Sequence, residues 1–184
     1  MDTYLTAYIA LVFLYRVAEL AVMTRTGTIA KKPRRDWTAW LIIVPYWLVL
    51  VAPPLEYMAR DYRRPSVPSL ALGVLLFAAA TYVRVRAHLD LGKQFSMFLE
   101  EGKEEGLVTT GLYGKIRHPL YLGNLLLFLA CPTFLGVAWS WILTLVGIVG
   151  VVVRIEMEER FLRRTFEGYD AYTEETSRLI PGIY

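Results

Sequence analysis

Residues 111–124 read GLYGKIRHPLYLGN and place an arginine, an imidazole and a phenol at the mouth of an apolar run. His118 precedes a proline, which biases it away from the helical region, and Pro119 suits the first position of a helix. A helix is therefore expected to start at Pro119. Its first turn would present N–H groups and the positive end of the helix dipole, a place for a carboxylate or phosphate. Gly123, one turn in, admits a close neighbour, and Tyr121 supplies a ring and a hydroxyl. The same residues also suit a cationic anchor with an aromatic belt residue at a membrane boundary. Some thirty residues later, VVVRIEMEERFL (151–162) sets Arg154 and Glu158 four apart, on one helical face just past a second apolar run, with Glu159 one step round. Arginine binds a carboxylate with two parallel hydrogen bonds, and a glutamate suits a cation. The alternative is a snorkelling arginine at a helix end followed by a solvated surface. A third pair, Arg16 and Glu19, lies inside the first apolar run. Ionisable groups at membrane depth point to function, although this spacing also suits a pair that neutralises itself against the bundle interior.

The elements that must carry these residues are apolar helices. Of the 184 residues 55% are hydrophobic, the mean hydropathy is +0.39 and the net charge is +3. The apolar residues fall into blocks of the length a bilayer requires. Five spans are expected, at roughly 4–23, 37–57, 67–86, 119–134 and 137–153, the last two shorter and joined by a tight turn at Gly136. Pro45, Pro53 and Pro54 should kink or break the second span, which a membrane helix tolerates when neighbours satisfy the freed carbonyls. Basic residues orient the chain. Arg25, Lys31, Lys32, Arg34 and Arg35 follow the first span, and residues 84–118, from the end of the third span to the start of the fourth, carry Arg84, Arg86, Lys93, Lys103, Lys115 and Arg117. Arg154, Arg160, Arg163, Arg164 and Arg178 follow the fifth, whereas the other side has Arg60, Arg63 and Arg64. Five spans put the three richer groups together, on a side expected to be cytoplasmic, with the N-terminus outside. The expected fold is all-α and integral to the membrane: five transmembrane helices, a polar cytoplasmic segment over 88–118, and a C-terminal helical piece over 154–175 with Glu156–Arg160 and Glu159–Arg163 as i,i+4 pairs.

The length suggests one domain, residues 1–184, with the chemistry in roughly the half from 88 to 184. One cysteine, Cys131, and two histidines argue against a disulfide or a metal cluster. No basic run is interleaved with aromatics, which argues against nucleic acid as a partner. Asp2 precedes the first apolar run and no small-residue cleavage site follows, so that run reads as a retained span.

The pattern LV-x-x-G-x-Y-x-x-x-RHP-x-Y-x-G, a helical hairpin, R-x-x-x-EE-x-x-L and a tyrosine-rich tail resembles the isoprenylcysteine carboxyl methyltransferase family and the related membrane phospholipid N-methyltransferases. Here the pattern is carried by Leu107, Val108, Gly111, Tyr113, Arg117, His118, Pro119, Tyr121, Gly123, Arg154, Glu158, Glu159 and Leu162. The resemblance covers the C-terminal half. It implies S-adenosylmethionine as cofactor, in a cytoplasmic-side pocket lined by Leu107, Val108, Tyr113, His118, Pro119, Leu120, Tyr121 and Glu158. It also implies that Arg154 faces the methyl acceptor, so that Arg154 and Glu158 are the catalytic pair. Glu105 stands where the family often has histidine, Leu112 replaces a frequent proline, and the tail (Phe166, Tyr169, Tyr172) is one residue tighter than usual. These departures bear on the adenine side and the lid of the pocket. The implied partner is a lipophilic acceptor within the bilayer. Carboxyl O-methylation of a prenylated cysteine is the first expectation, and N-methylation of a phospholipid amine or other amphipathic molecule is the alternative. A non-catalytic adaptor or transporter is the reading outside that class, but a transporter would show broken helices repeated in two halves, and the sequence has no such repeat.

Overall fold

Asp2 caps the first helix by accepting hydrogen bonds from the Tyr4 and Leu5 amides at 2.9 and 3.2 Å, and Gly27, in the left-handed region, ends it. The computed structural model describes residues 2–27, 37–92, 107–182 and 184. Lys31, Lys32, Arg34, Arg35, Lys93, Lys103 and Glu105 lie outside the described residues. Helix α1 spans Thr3–Thr26, α2 Trp40–Ala59, α3 Val67–Leu91, α4 Pro119–Leu135, α5 Ser140–Thr165 and α6 Tyr169–Glu175. Short 3-10 turns at Trp37–Ala39 and Gly111–Gly114 precede α2 and α4. Helices α1, α3 and α5, and α2 with its preceding turn, are long and apolar enough to cross a membrane, and α4 is a shorter apolar helix among them. The protein is an all-α, multi-pass integral membrane protein.

The start of α1, the end of α2 and the start of α5 meet at one end of the bundle. The Tyr57 hydroxyl donates to Asp2 at 3.0 Å, and Glu56 accepts from the Ala138, Trp139 and Ser140 amides at 2.7–2.8 Å and from the Ser140 hydroxyl. Glu56 thus supplies the cap that α5 lacks in its own sequence. Glu56→Ala should cost about 1.5 kcal/mol, read as a lower thermal midpoint in detergent.

The three prolines of the second span neither break nor end it, since α2 runs through all of them. Each proline removes the donor for a carbonyl four residues earlier, and neighbouring helices answer for two of the carbonyls freed in α2 and α4. Pro54 frees the Leu50 carbonyl, which accepts from the Tyr8 hydroxyl at 2.8 Å. Pro132 in α4 frees that of Phe128, which accepts from the Thr144 hydroxyl at 3.2 Å. Pro45 frees that of Leu41, which lies 2.5 Å from where a Cβ on Gly150 would sit. A glycine is therefore required there for α2 and α5 to touch. Gly150→Ala should destabilise the fold by about 2 kcal/mol, because a backbone carbonyl cannot move aside as a side chain can; thermal unfolding of the purified variant measures it.

The boundary of the fifth span differs from expectation. Residues 137–139 are not helical, and the apolar run and the charged segment after it form one helix, α5, that ends at Thr165. The expected pairs Glu156–Arg160 and Glu159–Arg163 do not form. Glu156 and Glu159 turn to Arg178 and Arg117, and Arg163 pairs with Asp170 at 3.3 Å. Arg117 and Arg178 give the buried Glu159 carboxylate two charged partners, whereas an i,i+4 pair on an exposed face is worth only a few tenths of a kcal/mol.

Candidate functional site

The other end of the bundle gathers the motif residues. Helix α4 starts at Pro119 with His118 as its cap residue, as expected, but the His118 side chain makes no capping bond. The amides of Tyr121 and Leu122 both donate to the His118 carbonyl at 3.1 Å. Proline has no donor to give, so less of this helix end is open to an anion than the sequence suggested. The close neighbour that Gly123 admits is the stem of Arg84 from α3, whose Cγ would lie 2.3 Å from an added Cβ.

From α4, the Tyr121 hydroxyl donates to Glu158 Oε2 at 2.5 Å and accepts from Arg154 Nε at 3.3 Å. Because Arg154 and Glu158 are one turn apart on α5, a single phenol oxygen meets both. Arg154 is 2% exposed; Glu158 is half-buried. The structure therefore brings together Tyr121, Arg154 and Glu158. His118 and Pro119 are buried beside them, with the His118 ring centroid 5.6 Å from that of Tyr121. Leu107 and Val108 lie half-buried in irregular backbone just before the Gly111–Gly114 turn, and the buried Tyr113 lies within that turn. Leu120 is half-buried in the first turn of α4, and its carbonyl accepts from Arg84 at 3.3 Å.

Glu159, one step round α5, is 2% exposed and does a different job. Its carboxylate accepts from Arg117 Nε at 2.6 Å, faces His118 Nε2 at 3.2 Å and accepts from Arg178 Nε at 3.2 Å. Arg117 also bonds the Thr176 and Thr173 carbonyls. The tail runs beside the RHP segment as a short parallel bridge, with Arg117 N to Ser177 O at 2.8 Å and His118 N to Arg178 O at 3.0 Å. The Tyr172 hydroxyl donates to the Tyr113 carbonyl at 2.6 Å. The RHP turn is thus clamped between the acidic turn of α5 and the C-terminal tail.

The electrostatics keep the phenols protonated. Burial, and after it the Glu158 carboxylate, pushes the Tyr113 hydroxyl well above its ordinary range, and burial pushes that of Tyr172 up to about 12. Both are donors at neutral pH. Among the described residues no group of three His, Cys, Asp or Glu side chains could hold a metal ion.

Arg178 and Tyr169 also belong to this end of the bundle, without a motif of their own to mark them as site residues. Their available signal was the tyrosine-rich tail after the acidic helix, which marks a segment folded back rather than one leading away. Tyr169 is 1% exposed, and its hydroxyl has no hydrogen-bond partner among the described residues; its charged surroundings are Glu159, Arg117 and Glu158.

A family model described as phospholipid methyltransferase matches residues 68–168. The chain is similar to the protein-S-isoprenylcysteine O-methyltransferase of Schizosaccharomyces pombe, 33% identical over 133 residues that make up 70% of this chain and 53% of that protein. It is 28% identical over 160 residues to protein-S-isoprenylcysteine O-methyltransferase A of Arabidopsis thaliana, covering 78% of this chain and 77% of that one. It is also 30% identical over 145 residues to the cobalt-zinc-cadmium resistance protein CzcN of Cupriavidus metallidurans, covering 78% of this chain and 62% of that protein. The chain thus spans about half the length of the yeast relative and about three fifths of the Cupriavidus one. The matched family region runs from α3 into the tail beyond α5, more than half of the chain, and takes in Tyr121, Arg154 and Glu158 together; the chain belongs to the phospholipid methyltransferase family.

Proposed function

We propose that this protein is an S-adenosylmethionine-dependent methyltransferase for a lipophilic acceptor, with carboxyl O-methylation of a prenylated cysteine as its reaction. The observation that carries the reading is the Tyr121 hydroxyl shared by Arg154 and Glu158. It sets a group suited to an anion and a group suited to a cation at one point, at the foot of an apolar bundle. The names of the Schizosaccharomyces and Arabidopsis relatives support a prenylcysteine acceptor.

The residues present fit such a cofactor. A buried hydroxyl without a partner costs about 1–3 kcal/mol, and that of Tyr169 feels the charges of Glu159, Arg117 and Glu158. Glu158, unlike Glu156 and Glu159, has no arginine partner among the described residues, and its one hydrogen-bond partner there is Tyr121. A half-buried carboxylate held by a phenol and a phenol in want of a partner suit a ligand carrying ammonium, sulfonium and hydroxyl groups. Leu107, Val108, Tyr113, His118, Pro119, Leu120 and Tyr121 would line its pocket, and Glu158 would hold its cationic part. S-adenosylmethionine, when bound, supplies a methyl group on a sulfonium. The protein's own task is to align the acceptor and exclude water, and alignment alone contributes about 7–11 kcal/mol in well-oriented systems. Arg154 holds the acceptor carboxylate, which is already ionised at neutral pH and needs no base. Tyr121 fixes the guanidinium and Glu158 relative to each other.

The family's own description favours a second reading, N-methylation of a phospholipid amine. An amine must lose a proton, and the base would be Glu158, since arginines neutralise Glu156 and Glu159. In either case the excess of arginine and lysine at the Tyr121 end supports a cytoplasmic site with the N-terminus outside, in a single domain whose catalytic half is roughly 88–184. Incubating the purified protein with radiolabelled S-adenosylmethionine and a panel of prenylcysteines, phosphatidylethanolamine and total lipid tests the proposal. Label on a prenylcysteine that mild base releases is the expected result. Base-stable label on phosphatidylethanolamine would move the acceptor to an amine, and no transfer to any of the panel would overturn the reading.

A further inference from the structure

A second polar cluster lies within the bundle, apart from the Tyr121–Arg154–Glu158 contact. Glu19 of α1 is buried and accepts from Arg84 of α3 through Nε at 2.6 Å and through Nη2. It is also paired with Arg16, and His88 Nε2 lies 3.6 Å away. Whatever the state of His88, two arginines against one carboxylate leave, among the described residues, at least one surplus positive charge in this cluster. Arg84 is fully engaged on its other edge, donating to Asn124 Oδ1 at 2.5 Å and to the Leu120 carbonyl at 3.3 Å.

Arg16 is placed differently. It uses only Nη1, towards Glu19 and towards the Tyr46 hydroxyl at 3.0 Å. Its Nε and Nη2 have no partner among the described residues, and its side chain is 41% exposed. The guanidinium lies over the rings of Tyr46 and Trp47, 5.6 and 5.8 Å from their centroids, and Trp47 is itself 54% exposed. Thirteen residues along α1 place Arg16 about 20 Å from the start of the helix, within a hydrocarbon layer about 30 Å thick. A surplus cation with an open edge of N–H donors at that depth is costly unless an anion meets it.

We propose that Arg16 is a binding residue for the acidic group, carboxylate or phosphate, of an amphipathic lipid-soluble ligand seated at the seam between α1 and α2. The Nε–Nη2 edge matches the two oxygens of such a group. The flanking rings hold the guanidinium in place and give the aliphatic part of the ligand a surface to lie on. The ligand is either an anionic phospholipid of the bilayer or a lipophilic acid brought to the enzyme. The proposal concerns binding alone and does not depend on methyl transfer.

Trp47 reports on the site directly. The full chain is reconstituted in phosphatidylcholine vesicles that carry either brominated phosphatidylglycerol or brominated phosphatidylcholine, since bromine on the acyl chains quenches nearby indoles. The difference between the wild type and Trp47→Phe isolates Trp47, and Trp40→Phe provides a control on the same helix. At equal mole fraction, phosphatidylglycerol should quench Trp47 about five-fold more effectively, with no such preference at Trp40. Arg16→Gln should abolish the preference and Arg16→Lys should keep most of it. Relief of quenching by N-acetyl-S-farnesylcysteine but not by its methyl ester would identify a lipophilic acid as the ligand; no relief by either would identify the phospholipid. Equal quenching by the two lipids in the wild type, an equal preference at Trp40, or a preference that survives Arg16→Gln would overturn the proposal. Should Arg16→Gln fail to fold, the wild-type comparison of Trp47 with Trp40 still decides.

Discussion

Arg154→Ala is expected to lower turnover at least about 100-fold while leaving the affinity for S-adenosylmethionine nearly unchanged, and Glu158→Ala to weaken that affinity itself. The size follows from removing one charged group that a reaction centre in a water-poor site relies on. The split follows from geometry. Tyr121 bonds Glu158 at 2.5 Å and Arg154 at 3.3 Å, so the shorter contact survives when Arg154 is truncated. On the proposed roles, Glu158 then stays where it is and would keep the cationic part of the cofactor, while the acceptor carboxylate would lose its partner. Tyr121→Phe supplies the control. It removes both contacts at once and should move affinity and turnover together, although neither charged group has been touched. Isothermal titration with S-adenosylmethionine, beside initial rates on the acceptor, reads the two effects separately. If Arg154→Ala weakened cofactor binding while Glu158→Ala spared it, the two roles would be exchanged.

Much of this site can be read along the chain because its parts obey local rules. A proline after His118 fixes where α4 starts, and a spacing of four places Arg154 and Glu158 on one face whatever surrounds them. The five apolar runs are legible for the same reason, since a bilayer imposes their length. What could not be read depends on partners distant in sequence. Glu56 capping α5, Tyr8 answering the carbonyl freed by Pro54, and Arg178 reaching Glu159 all join elements through side chains whose local context says nothing of each other. The end of the fifth span was hidden for another physical reason. Charged residues mark where an apolar run stops, but α5 continues through them because Glu156 and Glu159 find buried or half-buried partners in the tail. Arg16 and Glu19 were legible as a pair, yet the third member, Arg84, lies 65 residues beyond Glu19 and looks like a boundary cation until α3 is packed against α1.

Glu159→Ala should have the largest effect on the fold, about 4 kcal/mol. One buried carboxylate serves Arg117, His118 and Arg178. Removing it leaves the Arg117 guanidinium, 7% exposed, without its charge partner, and breaking a buried ion pair from one side is costly because the other charge stays behind. Arg178 is affected less, since Glu156 still holds it. The loss should be focused on the clamp, because the bundle core is built from other residues. The tail at 176–182 should therefore become cleavable at Arg178 under limited trypsin digestion before the helices unfold. The thermal midpoint in detergent should fall even with α1–α3 contacts intact. Glu159→Gln keeps the shape and loses the charge, so it separates the two contributions. If the charge is what matters, the glutamine variant should behave like the alanine one, whereas recovery of most of the stability with glutamine would assign the clamp to hydrogen bonding and packing. Because the clamp holds the segment that carries Tyr113 and leads into Tyr121, a loosened tail should also weaken cofactor binding in proportion to the fraction of molecules with the tail released, and saturating cofactor should in turn protect Arg178 from trypsin. A tail that stayed resistant to trypsin in Glu159→Ala would show that the parallel bridge between 115–118 and 177–178 suffices without the carboxylate.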